Sequence, residues 1–180
     1  DLCALPFIDK LMEAGIDCFK IEGRVRSPEY VKTVVSVYRE AIDAYEKGNF
    51  NKELVDRLVE QLKTVYNRGF SRGFYFGMPT ADDFTDAGGS KAAQRKVYVG
   101  YVTNFFREPG VAAIKLEAGA LKKGDKIMIQ GETTGVQEQV VESMEINKNP
   151  VDKAEKEMVG IKLNFTAREN DKVYKIISNQ

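Results

Sequence analysis

Apolar and polar positions change rhythm along this chain, and each change predicts a different element. From Leu5 to Ala14 apolar residues recur at Leu5, Ile8, Leu11 and Met12, the spacing of one helical face, with Gly15 placed to end the helix. Over Asp17–Glu22 the period drops to two: Phe19 and Ile21 alternate with Lys20 and Glu22, which predicts a short strand. Gly23 is expected to permit a tight turn, and Ser27-Pro28 to open a helix, with serine as N-cap and proline at the first helical position. From Pro28 to Lys47 a broad apolar stripe runs through Val31, Val34, Val35, Tyr38, Ala41, Ile42 and Tyr45, and Gly48 is its stop. A further helix is predicted from the N-cap Asn51 to about Tyr66, with Leu54, Val55, Leu58, Val59, Leu62, Val65 and Tyr66 on its buried face. The two helices make a predicted hairpin across a short join.

Residues 67–94 lose this periodicity. Arg-Gly-Phe occurs twice, at Arg68-Gly69-Phe70 and Arg72-Gly73-Phe74, and residues 81–91 are rich in Asp, Gly and small side chains. The stretch is read as a linker whose aromatics cover a domain seam, with a nucleobase-stacking platform as the alternative. From about Lys96 onward the chain reads as all-β. Six strand-length segments rich in Val, Ile, Tyr and Phe are separated by turn signals such as Glu108-Pro109-Gly110 and Lys123-Gly124-Asp125. Six strands in a small domain predict a closed antiparallel barrel. The expected architecture is therefore α+β and multi-domain: an N-terminal α/β piece over 1–66, a linker over 67–94 and a β-barrel over 95–180. A lone strand at 17–22 has no partner in the sequence, so its sheet is expected to be completed by a missing N-terminal half of the same protein or by another chain.

Composition narrows the chemistry more than it defines it. In 180 residues, 27 Lys and Arg balance 27 Asp and Glu, so the one-sided charge of an obvious nucleic-acid binder is absent. There are no histidines, which removes any Ser-His-Asp, Cys-His or histidine-ligated metal site from within the chain. The two cysteines, Cys3 and Cys18, do not have zinc spacing; Cys18 is expected to face packed side chains. A reduced, cytoplasmic protein without a membrane span is expected. A start at Asp1 in place of methionine gives the further expectation that the chain is a processed product or a piece of something longer. The corner at 20–26 concentrates charge at the end of a predicted strand, where α/β proteins tend to keep their chemistry. Glu22 is its candidate general acid or base, and Lys20, Arg24 and Arg26 are candidates to grip an anion. The alternative is a salt-bridge cluster tying strand to helix.

Asp1-Leu2-Cys3, Gly15-Ile16-Asp17, the run Lys20-Ile21-Glu22-Gly23-Arg24, Ser27-Pro28-Glu29-Tyr30-Val31, Tyr38-Arg39 and Asn67-Arg68-Gly69-Phe70 together resemble the collagenase-like peptidases of unknown catalytic type, family thirty-two. The resemblance runs in order across residues 1–77. It implies that these segments close a TIM-like barrel. Gly100-Tyr101-Val102, Leu121 to Ile127, Gly160-Ile161 and Asn170 to Tyr174 resemble the β-barrel second domain of translation factors such as elongation factor Tu, which some members of that family carry. Family members are described as proteases, and others act in prephenate-linked hydroxylation of tRNA or ribosomal RNA bases or in ubiquinone hydroxylation. The resemblance implies a peptide or RNA substrate. It also implies a four-iron cluster in the full-length protein, with Cys3 as one ligand and none held by this chain alone. A barrel that only docks RNA or a partner protein is the remaining alternative.

Overall fold

The computed structural model describes residues 1–79 and 88–179, which divide into two compact units, 1–93 with 179–180 and 94–178. In the first unit a 3₁₀ turn over Leu5–Phe7 leads into α1 (Ile8–Glu13), which ends where Gly15 takes φ +79. α2 (Pro28–Glu46) and α3 (Lys52–Lys63) form the predicted hairpin. The Asn51 side chain accepts the Leu54 N–H at 2.9 Å, as an N-cap should. Ser27 occupies the corresponding place before α2, but its hydroxyl makes no capping bond, and only its carbonyl accepts, from Val31 N–H at 3.2 Å.

The core of this unit gathers Leu5, Ile8, Val34, Val37, Ala41, Leu58 and Leu62, with Phe19, Ile21 and Phe70 packed against it. The buried stripe of α2 is narrower than its sequence predicts. Val34, Val37 and Ala41 are buried, while Val35 is 47% exposed. Successive residues on a helix are about 100° apart, so Val34 and Val35 cannot both face one narrow contact.

The predicted strand at 17–22 does not form. The backbone there belongs to no strand and pairs with none of the described residues, because a strand exists only through a neighbour's N–H and C=O groups. Its period-2 pattern survives as side-chain placement: Phe19 and Ile21 face the core, and Lys20 and Glu22 are exposed. Cys18 shares their parity, so it is exposed and does not face packed side chains. Residues 1–3 and 69–71 meet in a parallel bridge at Leu2 and Ser71, with Cys3 N–H donating to Ser71 O at 2.9 Å. Within the stretch expected as a linker, Phe70 joins the core, and Tyr75 and Phe76 flank Phe7 with ring centroids at 5.1 and 5.0 Å. The rest of that expectation falls partly on residues 80–87, outside the described residues.

The second unit is an antiparallel β structure. Its main sheet holds β1 (Gln94–Phe106), β2 (Val111–Leu116), β4 (Lys126–Gly131), β5 (Gly135–Val140), β6 (Met144–Ile146), β7 (Asn149–Pro150), β9 (Met158–Lys162) and β10 (Lys172–Ser178), in the order β5-β4-β10-β1-β2-β9-β6-β7. β3 (Ala120–Lys122) pairs with β8 (Lys153–Glu155) in a second, two-stranded sheet. The six-stranded closed barrel is thus corrected to eight strands plus two. Among the described residues the main sheet runs from β5 to β7 without a closing pair. One expected segment, Val136–Ile146, breaks into β5 and β6. Val141 leaves the ladder there to exchange backbone bonds with Gly124 and Asp125, and its side chain is fully buried. The short β3, β7 and β8 carry too few residues for a periodic signal. Ile114, Leu121, Ile127, Ile129, Met144, Ile161 and Val173 fill the interior.

Candidate functional site

The chain passes from the exposed segment at 20–22 into α2 through a turn closed by Arg26 N–H donating to Gly23 O at 3.2 Å. Gly23 serves this turn by its lack of bulk: a Cβ there would stand 3.3 Å from a Val31 methyl. The left-handed conformation falls on Val25, at φ +56, with its side chain fully exposed between two arginines. A β-branched residue in that region carries strain of roughly 1–3 kcal/mol, a feature found at functional corners more often than elsewhere. No sequence signal marks Val25, because nothing in a valine announces a positive φ.

Glu22 and Arg24 form the centre of the corner. Glu22 Oε1 accepts from Arg24 N–H at 2.7 Å and from Arg24 Nε at 3.2 Å, and Oε2 accepts from a terminal guanidinium nitrogen at 3.1 Å. These bonds from Arg24, with smaller contributions from the Lys20 and Arg26 charges, hold the Glu22 carboxyl below its usual range. Glu22 is therefore a carboxylate at neutral pH, suited to position a cation and unsuited to donate a proton. Any stability it lends is present above the ordinary carboxylate pKa and is lost as pH falls through the lowered value. Arg26 is engaged differently, its guanidinium lying 4.3 Å from the Tyr66 ring centroid and 5.4 Å from that of Tyr30. Lys20 is exposed. The four predicted corner residues are thus close enough to influence one another, with Lys20, Glu22 and Arg24 exposed and Arg26 half-buried, and together they make a mainly cationic corner that can recognise a carboxylate or phosphate.

Cys3 does not belong to this corner. Its thiol is buried, accepts a long hydrogen bond from the Tyr38 hydroxyl at 3.9 Å, and is pushed up in pKa chiefly by burial. The same Tyr38 oxygen accepts Ala4 N–H at 3.0 Å, and burial likewise raises the phenol's pKa. Cys3 borders a small cavity of ≈ 150 Å³ with Pro6, Val59, Phe70, Ser71 and Arg72. A larger apolar hollow of ≈ 520 Å³ lies against Leu2, Gly73, Phe74 and Tyr75. No group of three His, Cys, Asp or Glu side chains able to hold a metal occurs among the described residues, and the second cysteine is exposed. The residues present do not fit a four-cysteine cluster, and the Cys3 thiol is hydrogen-bonded to a phenol, which does not make it a nucleophile. One consequence is measurable. Titration with a disulfide thiol reagent should find one fast thiol in the native protein, lost in Cys18→Ser, with Cys3 reacting only on unfolding. A second fast thiol in the native state would contradict the buried placement of Cys3.

Among the described residues no helix is long and apolar enough to cross a membrane. The family model for peptidase family U32 matches residues 1–85. Across 97% of its length the chain is 44% identical to a collagenase of Porphyromonas gingivalis, of which it covers 42%. It is 35% identical over 73% of its length to tRNA hydroxylation protein P1 of Bacillus subtilis, covering 31% of that protein. The C-terminal domain of a U32 peptidase from Geobacillus thermoleovorans superposes on 43% of the chain and 96% of its own, at 20% identity and a TM-score of 0.41. The chain spans less than half the length of the curated relatives it matches. Residues 1–85 thus carry the segments of peptidase family U32, and the collagenase similarity continues through the β unit.

Proposed function

We propose that this chain is part of a collagenase-like peptidase and supplies one wall of its substrate site, with the catalytic groups carried by the remainder of a longer protein. The similarity to the P. gingivalis collagenase at 44% over nearly the whole chain carries this reading, because it extends through both units. The corner chemistry agrees with it. Glu22 is spent on Arg24, and Cys3 is buried and protonated, so neither is equipped to cleave an amide unaided. In this reading residues 17–22 pair with a strand of the longer protein, residues 1–66 close a TIM-like barrel, and the second unit is a translation-factor-like β domain. Lys20, Arg24 and Arg26 bind a substrate carboxylate. Glu22 is assigned as the positioning residue that holds Arg24.

The test uses the full-length protein with gelatin and collagen peptides. Cleavage is expected from it and not from residues 1–180 alone. Glu22→Gln should raise KM about ten-fold with little change in kcat, the pattern of lost binding. A fall in kcat of a hundred-fold or more with KM unchanged would make Glu22 a catalytic acid or base instead. No cleavage by the full-length protein removes the peptidase reading.

A second reading rests on the match to the tRNA hydroxylation protein, which also runs into the β unit. Here the longer protein acts on RNA, and Cys3 contributes one thiolate to a cluster whose other ligands lie outside this chain. Nucleoside mass spectrometry of tRNA and ribosomal RNA from a deletion strain should then show a missing hydroxylated base. An unchanged nucleoside profile ends this reading.

A further inference from the structure

The outward face of the central strands in the second unit brings together three tyrosines and three lysines from distant parts of the chain. Tyr98 of β1 stands opposite Tyr174 of β10, their rings edge to face with centroids 5.8 Å apart. Between Tyr98 and Gly100 the register shifts by one residue, a bulge that turns Val99 inward and brings Tyr101 onto the same face as Tyr98. Tyr101 is then flanked directly across the ladder by Lys172 on one side and Lys115 on the other. Lys96, two residues before Tyr98, lies 4.6 Å from the centre of the Tyr174 ring and donates to Gln130 at 3.0 Å. Tyr98 is 36% exposed, and Lys115 and Lys172 are exposed.

The charges nearby leave this face positive. Glu117 accepts the Tyr98 hydroxyl at 2.7 Å, and Glu138 is paired with Lys126 at 2.6 Å. Among the described residues neither Lys115 nor Lys172 has an ion-pair partner. A core has no use for this arrangement, since the sheet's inner face already carries the packing through Val99, Val102, Ile114 and Val173. Aromatic rings interleaved with the cations of Lys115 and Lys172 on an open sheet suit a strand of unstacked bases, whose π-faces stack on the rings while the phosphates meet the ammonium groups.

We propose that this face binds single-stranded nucleic acid, with bases stacked on Tyr98 and Tyr101 and phosphates held by Lys115 and Lys172. The site goes beyond the peptidase reading and stands or falls independently of it.

The test is fluorescence anisotropy of the full chain with a labelled 12-nucleotide oligouridine, from 50 to 200 mM KCl. Binding should weaken with salt at a log–log slope of about −1.4, two lysines at roughly 0.7 each. Tyr101→Ala should weaken binding about ten-fold, within the range set by one lost base stack, and Tyr101→Phe should stay within about two-fold of the parent. Lys115→Gln with Lys172→Gln should weaken binding and flatten the slope by about 1.4. Both lysines are exposed, so this pair keeps the test decisive if Tyr101→Ala does not fold. No binding at 50 mM KCl overturns the proposal, as does equal affinity for a 12-base-pair RNA duplex, whose bases are hidden. Unchanged binding in the lysine pair, or capture of a proline-rich peptide in place of the oligonucleotide, overturns it too.

Discussion

Gly100→Ala is expected to cost the β unit about 3 kcal/mol or more, enough to leave much of it unfolded at ordinary temperature. A Cβ at this position would stand 2.0 Å from the Lys115 carbonyl oxygen and 3.0 Å from Leu116 Cα, both backbone atoms of the neighbouring strand. A flexible side chain could swing away from such a contact, but a carbonyl in a ladder cannot. Gly100 lies between β10 and β2 at the bulge of β1, so moving it disturbs two ladders at once. Its φ is not left-handed, and the requirement is for space alone. Urea unfolding followed by tyrosine fluorescence measures the loss, because the chain has eight tyrosines and no tryptophan. Gly89→Ala is the control, with nothing within 4 Å of its Cβ. A Gly100→Ala midpoint equal to that of the control would show that the bulge absorbs a methyl group, and the predicted clash would be wrong.

Leu58→Ala is expected to destabilise the helical unit by about 2–5 kcal/mol. Leu58 is fully buried in α3, in the cluster that includes Leu5, Val37 and Ala41, so truncation leaves a cavity that rigid neighbours on several elements cannot fill together. The informative comparison is Val35→Ala. Val35 lies on the predicted apolar stripe of α2 yet is 47% exposed, and its loss should change stability by less than about 0.5 kcal/mol. Paired urea titrations of the two variants separate burial from periodicity. A Val35 variant that loses as much as Leu58→Ala would mean that the α2 face is turned differently from the one described.

The helical hairpin was legible because its evidence is local. The 3.6-residue spacing, Pro28 at the first turn, Asn51 as a cap and Gly48 as a stop all act within a few residues of where they sit. The charged corner was legible in its members and not in its wiring. That Glu22 and Arg24 would bind each other two residues apart follows from reach, whereas Arg26 stacking on Tyr66 depends on where α3 ends in space. The expected burial of Cys18 failed on a point the sequence already held, since it shares parity with Lys20 and Glu22. The strand at 17–22 failed for a different reason. Alternation shows which side chains share a face, but pairing requires a partner, and no pattern within one segment contains its partner.

The sequence by itself determined the helices of the first unit, the all-β character of the second, the absence of histidine chemistry and, through its family motifs, the U32 segment over residues 1–85. Those depend on residue identity and short spacing. The tertiary structure alone decided that Val25 would carry the strained turn, that Gly100 would be irreplaceable for want of space, and that β10 would lie between β1 and β4. It alone gathered Tyr98, Tyr101 and Tyr174 on one face, because a one-residue bulge reverses the alternation and the sheet order joins strands some seventy residues apart. Local propensity acts along the chain, whereas a surface is made by whatever the fold sets side by side across it.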